Sequence, residues 1–280
     1  MSSSRLMDTC EAMEIEEAGE EEEEEEEEEA DLLFRVDLRK RGVVVKRVIG
    51  KGSGNVTVYL AEIGGKRVAV KRFDLRHSFT EDARHMILEE ARVMKDLHQS
   101  ERFLFLSDVH DASPAHISFV MDFCEGGDLL SHIQTYGTFG DSDAKKVVRQ
   151  LLEALAIMHA KDMCHRDVKL ENVLLVSREN LSIKLADMGT AARSLSKRRT
   201  TFKGTLATMA PEIKQRMCPK GGPSMSNRPL SSSLTAKETY DGQRADMFSV
   251  GVVIYCMLKG AYPRGTLRGI ALDVSMSLDA

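Results

Sequence analysis

The segment HRDVKLEN, residues 165–172, sets a carboxylate, an ammonium and a carboxamide within six positions, and ADMG, residues 186–189, adds a second carboxylate beyond a short apolar run. A hydroxyl attacking phosphorus needs a carboxylate to take its proton, which Asp167 supplies. Lys169, two residues on, can neutralise the oxygens of the group being transferred. Asn172 and Asp187 carry the hard oxygen donors that suit Mg²⁺.

Two upstream features fit the same chemistry. Gly50, Gly52 and Gly54 in IGKGSGNVTV lie between two predicted strands, where the lack of side chains lets backbone N–H groups approach phosphates. Lys71 in VAVK is a lone cation at the end of an apolar strand, and such a lysine costs desolvation energy unless it is paired. Glu90 offers the pair: it lies on a predicted helix in phase with Val93, Met94 and Leu97, and a lysine so held can bind α- and β-phosphate oxygens.

The elements that must position these groups follow from the periodicity. Residues 43–76 alternate in short β-branched runs with a Gly64-Gly65 turn, which predicts a three-stranded antiparallel meander. Thr80 is the expected N-cap of an amphipathic helix reaching about His98, with Glu81 and Asp82 in its first turn. RFLFLSDV and HISFVMDF complete a small sheet. After Gly126-Gly127 the pattern turns helical: DLLSHIQTY, then SDAKKVVRQLLEALAIMHA with Val148, Leu151, Leu152, Leu155 and Met158 on one face. The Pro-, Gly- and Ser-rich stretch 213–239 is expected to be a flexible insertion.

Taken in order, GKGSG, VAVK, Glu90, HRDVKLEN, DMG and Ala210-Pro211-Glu212 resemble the signature motifs of the eukaryotic protein kinase family. The resemblance covers residues 43–264. Lys169, with Gly204-Thr205 before the Ala-Pro-Glu motif, is similar to the serine/threonine branch. It implies an α+β, two-lobed fold: a sheet lobe with one helix over 43–124 and a mainly helical lobe over 125–280, with a C-lobe that looks shortened. It also implies ATP and Mg²⁺ as cofactors, protein substrates bearing Ser or Thr hydroxyls, and an upstream activating kinase.

Residue by residue, the same resemblance assigns Asp167, Lys169, Lys71 and Glu90 to catalysis and Asn172 and Asp187 to the metal. Ile49, Gly50, Lys51, Gly52, Ser53 and Gly54 would cover the phosphates. Val58, Ala69 and Leu174 would enclose the adenine, with Met121 as gatekeeper and Asp122 and Cys124 offering backbone groups. Asp128 would lie near the ribose, and Glu171 falls in the nucleotide-binding set. Asp128 and Glu171 also resemble positions that hold a substrate arginine in basophilic kinases. Thr201, with Thr200 beside it, matches the activation-loop phosphosite, and Arg166 would receive its phosphate.

The departures are specific. The glycine loop is one residue longer than usual, with Asn55 near the expected third glycine. Met188 replaces the customary phenylalanine and is apolar enough to pack beneath the helix. Asp246 resembles the buried aspartate that anchors the catalytic loop, with Phe248 where tryptophan is usual. RGTLRGIALDVSMSLDA has no clear counterpart, and the arginine that ordinarily pairs with Glu212 is missing, which would leave a costly charge if Glu212 were buried. A kinase-like scaffold of weak or no activity, binding nucleotide or a partner, is therefore the alternative reading.

Composition sets the outer limits. With 42% hydrophobic and 30% charged residues and no Trp, the chain reads as globular. Residues 1–40 hold 17 acidic against 4 basic residues, net −13, while the remainder carries net +8. That block predicts a disordered polyacidic tail over 1–40, solubilising or attracted to basic surfaces, ahead of a kinase domain over 43–280. Five widely spaced cysteines without a CxxC pair argue for reduced thiols and against zinc. The N-terminus lacks a signal-peptide apolar core and no apolar run spans a bilayer, so the expectation is a soluble cytoplasmic or nuclear protein, with no membrane or nucleic-acid partner.

Overall fold

The computed structural model describes residues 30–52, 55–76, 80–113, 115–193, 205–217 and 240–263. The chain divides into two compact units, residues 1–71 and 72–280.

In the first unit, residues 30–40 form helix α1. It precedes β1 (Val43–Gly52), β2 (Val56–Ile63) and β3 (Lys66–Asp74), the last of which runs on into the second unit. β1 and β2 pair antiparallel, with Gly50 opposite Val58 and Gly52 opposite Val56. Gly64 and Gly65, at φ 56° and 82°, make the tight turn into β3 that the sequence predicts. Asn55, at φ 59°, takes the left-handed conformation at the tip of the first hairpin; asparagine tolerates it better than most residues.

Helix α1 corrects the expectation of a structureless tail through residue 40. Phe34 and Leu38, one turn apart, are fully buried, and the Phe34 ring lies 5.3 Å from that of Tyr59 on β2. The Tyr59 hydroxyl donates to Asp31 Oδ1 at 2.8 Å, and Arg35 Nε donates to Asp31 Oδ2 at 2.5 Å. Averaging charge over forty residues hid an i, i+4 apolar pair of the kind that docks a helix. Residues 1–29, with the polyglutamate run, lie outside the described residues.

In the second unit, Thr80 caps α2 (Glu81–Leu97) by accepting from the Ala83 N–H, as expected. β4 (Leu106–Ser113) and β5 (His116–Asp122) form a hairpin. A small sheet then orders β6 (Gly127–Asp128), β8 (Val173–Ser177) and β9 (Ser182–Leu185), while β7 (Met163–Cys164) pairs with β10 (Ala192–Arg193). Gly126 is obligatory here: a Cβ on it would fall 2.5 Å from the Leu175 Cβ and 2.6 Å from the Leu175 carbonyl oxygen.

The helices are α3 (Leu129–Tyr136), α4 (Asp141–Ala160), α5 (Pro211–Met217) and α6 (Gly242–Lys259). The inward face of α4 is built from Ala144, Val147, Leu151, Ala154, Leu155 and Met158. Val148 and Leu152, expected on that face, stand beside it, and Leu152 is 37% exposed.

Two further expectations change. The flexible stretch expected from 213 begins as helix α5, because Ile213 is buried in a cluster with Met209, Ala210, Tyr240 and Ala245; residues 218–239 lie outside the described set. Glu212 is exposed, so it carries no burial cost for want of an arginine. Leu185 N–H donates to the Arg102 carbonyl at 2.8 Å, and Lys184 Nζ reaches the Phe103 carbonyl at 3.0 Å and Asp122 Oδ2 at 2.6 Å, which fastens residues 102–122 to the β8–β9 hairpin.

Candidate active site

β7 ends at Cys164, and the chain then runs through a loop held mainly by one buried carboxylate. Asp246 on α6, 1% exposed, accepts the His165 N–H at 2.9 Å and the Arg166 N–H at 2.7 Å, and its Oδ2 also lies 2.9 Å from His159 Nε2. Two adjacent amides aimed at one carboxylate force an unusual backbone, and Arg166 stands at φ 68° in the left-handed region. His165 is fully buried, with Nε2 2.9 Å from the Ala186 carbonyl, and its own carbonyl accepts from Thr190 Oγ1 at 2.8 Å. This loop is thereby tied to the strand and turn that carry Asp187.

Asp167, 6% exposed, is the centre of this network. Its Oδ2 lies 2.9 Å from Lys169 Nζ and 3.3 Å from Asn172 Nδ2, and its Oδ1 accepts the Thr205 N–H at 2.7 Å. Asn172 Nδ2 also donates to the Asp167 carbonyl at 2.8 Å. With the amide nitrogen so committed, the Asn172 Oδ1 is the end left to serve as a ligand. Lys169 donates in addition to Thr205 Oγ1 at 3.0 Å. Burial alone would lower the Lys169 pKa, but the Asp167 hydrogen bond and the charges of Asp167, Glu171 and Asp187 outweigh it and raise the value.

Glu90 and Asp187 meet around Gly189. A Cβ on Gly189 would sit 3.0 Å from Glu90 Oε2 and 3.3 Å from Asp187 Oδ1, so the glycine is what lets both carboxylates approach the same turn. Glu90 is 5% exposed on the inward face of α2. Asp187 stands at φ 61°, opening the 3₁₀ turn Met188–Thr190. Met188 is buried, as expected of a residue beneath the helix, and shares a small cavity with Met94 and Leu97 of α2.

The second unit therefore brings Asp167, Lys169 and Asn172 together, and Glu90 and Asp187 together. Met121 is buried at the end of β5 and Cys124 is buried just after it, with the thiol pushed up to about 11 by burial. The Asp122 N–H is spent on the Phe105 carbonyl at 3.1 Å. The Asp128 carboxylate caps α3, accepting Ser131 N–H and Oγ at 2.8 Å each. Leu174 is half-buried in register with Asp128 and Lys184, and Glu171 keeps a buried Oε2 with no hydrogen bond.

In the first unit, β1 carries Ile49, Gly50, Lys51 and Gly52, β2 carries Val58, and β3 carries Ala69 and Lys71. Ser53, Gly54, Thr200 and Thr201 lie outside the described residues. Thr205, which touches Asp167 and Lys169, and Lys184, which touches Asp122, are neighbours of the candidate residues that the motifs do not assign to the site. Gly204-Thr205 was a visible motif, whereas nothing in the spacing marks Lys184.

Residues 43–271 match the Protein kinase domain family. The chain belongs to that family, and its α+β architecture is the kinase fold. It is similar to the serine/threonine-protein kinase SAPK3 of Oryza sativa subsp. indica, 36% identical over 153 residues, which cover 54% of this chain and 39% of the relative. It is 31% identical over 217 residues to SAPK9 of Oryza sativa subsp. japonica, covering 76% of this chain and 52% of the relative. With SRK2A of Arabidopsis thaliana it shares 35% identity over 153 residues, 54% of this chain and 36% of the relative. The matched regions thus span about half or less of these relatives' own length.

Proposed function

We propose that this protein is an ATP-dependent serine/threonine kinase in which Asp167 is the catalytic base. The observation that carries the reading is the Asp167 carboxylate, held in one orientation by Lys169, Asn172 and the Thr205 N–H. In the reaction, the substrate hydroxyl gives its proton to Asp167 as its oxygen bonds the γ-phosphorus of ATP. The bond from that phosphorus to the bridging oxygen breaks, and ADP leaves with the electron pair. Lys169 offsets the charge on the transferring oxygens.

The donor set fits Mg²⁺, which would neutralise phosphate charge when bound. Asn172 Oδ1 and the Asp187 carboxylate are oxygen donors, and Mg²⁺ is ordinarily held by one or two side-chain oxygens with phosphates and water completing its shell. Lys71 would bind the α- and β-phosphates and Glu90 would fix it, as the sequence resemblance implies. Among the described residues no helix is long and apolar enough to cross a membrane.

Substrate preference would rest on Glu171, whose buried Oε2 has no hydrogen bond, more than on Asp128, which is engaged in capping α3. Glu171 would favour an arginine ahead of the phosphoacceptor. Thr201, with Thr200 beside it, would be phosphorylated by an upstream kinase, with Arg166 receiving the phosphate.

The test is transfer of labelled phosphate from ATP and Mg²⁺ to a generic basic protein. Transfer that falls by about 10²- to 10⁴-fold in Asp167→Ala is expected. Equal transfer by the two proteins would overturn the assignment, and no transfer by either would favour a scaffold.

A further inference from the structure

β9 sets Lys184 between Ile183 and Leu185, both fully buried, so alternation along the strand turns the lysine to the opposite face. There its Nζ donates to Asp122 Oδ2 at 2.6 Å and to the Phe103 carbonyl at 3.0 Å. The pair is mostly sheltered, with the Lys184 side chain 16% and the Asp122 side chain 26% exposed. Charges so placed are screened less than a pair in open water.

Asp122 Oδ2 also accepts the Phe105 N–H at 3.1 Å, and the Asp122 N–H donates to the Phe105 carbonyl at 3.1 Å. One carboxylate oxygen therefore joins β9, the chain at Phe105 and the end of β5. Beyond Cys124, the Gly126 N–H donates to the Leu175 carbonyl of β8 at 2.9 Å. The segment 122–126 is thus strapped to the β8–β9 hairpin on either side of Cys124. Within it the Asp122 N–H is spent on Phe105, and the Cys124 carbonyl accepts the Gly127 N–H at 3.3 Å. What the segment can turn to a ligand is the Asp122 carbonyl and the Cys124 N–H. An adenine edge, with an amino group that donates beside a ring nitrogen that accepts, matches that acceptor and donor.

We propose that Lys184 is a positioning residue for the nucleotide: bonded to Asp122 and Phe103, it fixes the 122–124 backbone in the shape that takes adenine, and so sets the affinity for ATP without touching it. The inference rests on the reading of 122–124 as the adenine-binding segment of a kinase. A backbone fixed before the ligand arrives spares the cost of ordering it on binding.

The test compares the full chain with Lys184→Met. ATP affinity by calorimetry should fall about three- to tenfold, while Lys184→Arg, which keeps a cation to donate to both oxygens, should stay within about twofold of the wild type. Asp122→Asn keeps an acceptor for the Phe105 N–H and removes only the charge, so it should weaken ATP binding in the same direction even where the first variant folds poorly. An independent readout is alkylation of Cys124 by iodoacetamide without nucleotide, followed by mass spectrometry. Burial pushes this thiol up to about 11, and the Lys184 charge works against that rise. Losing the charge alone would make the thiolate scarcer and slow the reaction in Lys184→Met, whereas a freed segment exposes the thiol and should speed it at least about threefold. Slower or unchanged alkylation would overturn the proposal. A wild type that binds no ATP would overturn the kinase reading and this inference with it; a wild type that binds ATP, matched by Lys184→Met, would overturn this inference alone.

Discussion

At the scale of single residues, the second unit uses carboxylates in distinct ways, and their surroundings decide which. Asp246 is buried and saturated by backbone donors, so it sets loop shape. Asp167 sits between an ammonium, an amide and a backbone N–H. Asp74 is a third case. Burial alone would raise its pKa, but hydrogen bonds from the Arg76 side chain and backbone, with the charges of Arg76 and Arg72, hold it below its usual 3.8. A folded value below the unfolded one means stabilisation that is present above about pH 3.8 and is lost as pH falls through the folded pKa. Urea midpoints measured from pH 6 to pH 2 should therefore fall more steeply for the wild type than for Asp74→Asn; parallel curves would contradict the assignment.

Gly189 supports a prediction of the same kind. Gly189→Ala puts a methyl group 3.0 Å from Glu90 Oε2 and 3.3 Å from Asp187 Oδ1, closer than such contacts normally come. Both carboxylates must shift by a few tenths of an ångström while the core stays intact. The variant should melt within about 2 °C of the wild type yet transfer phosphate about tenfold more slowly, roughly 1.4 kcal/mol of lost transition-state stabilisation. Unchanged turnover would mean that the two carboxylates need not be held around this turn.

At the scale of elements, the motif-bearing pieces were legible because their chemistry is local. The Thr80 cap and the Gly64-Gly65 turn follow from residue types within a few positions, and α2 and the meander follow from periodicity. Helix α1 was not, because ten consecutive glutamates dominate any average taken across it. Phe34→Ala should cost about 3–5 kcal/mol of stability by leaving a void against Tyr59. A loss below 1 kcal/mol on chemical denaturation would mean that α1 does not stay docked. The orientation of α4 was half legible: its period was plain, but two apolar stripes lie side by side, and only tertiary packing decides that Leu151 goes inward and Leu152 outward.

At the scale of the whole molecule, family and fold class could be read from six ordered motifs, and the match over residues 43–271 agrees. The placement of Asp167, Lys169 and Asn172 was legible because six consecutive residues contain all three. The ties between distant segments were not. Lys184 to Asp122 and Asp246 to His165 join residues 62 and 81 positions apart, and no local signal encodes either.

The central claim, that the Asp167 carboxylate accepts the substrate proton and is not a mere structural anchor, is tested most directly by Asp167→Asn assayed for two things at once: ATP affinity by calorimetry and phosphotransfer to a Ser/Thr peptide. Nucleotide affinity within about threefold of the wild type, with transfer reduced by at least about 10²-fold, is the predicted result. Transfer at the wild-type rate, or a loss of transfer matched by an equal loss of nucleotide binding, would contradict it.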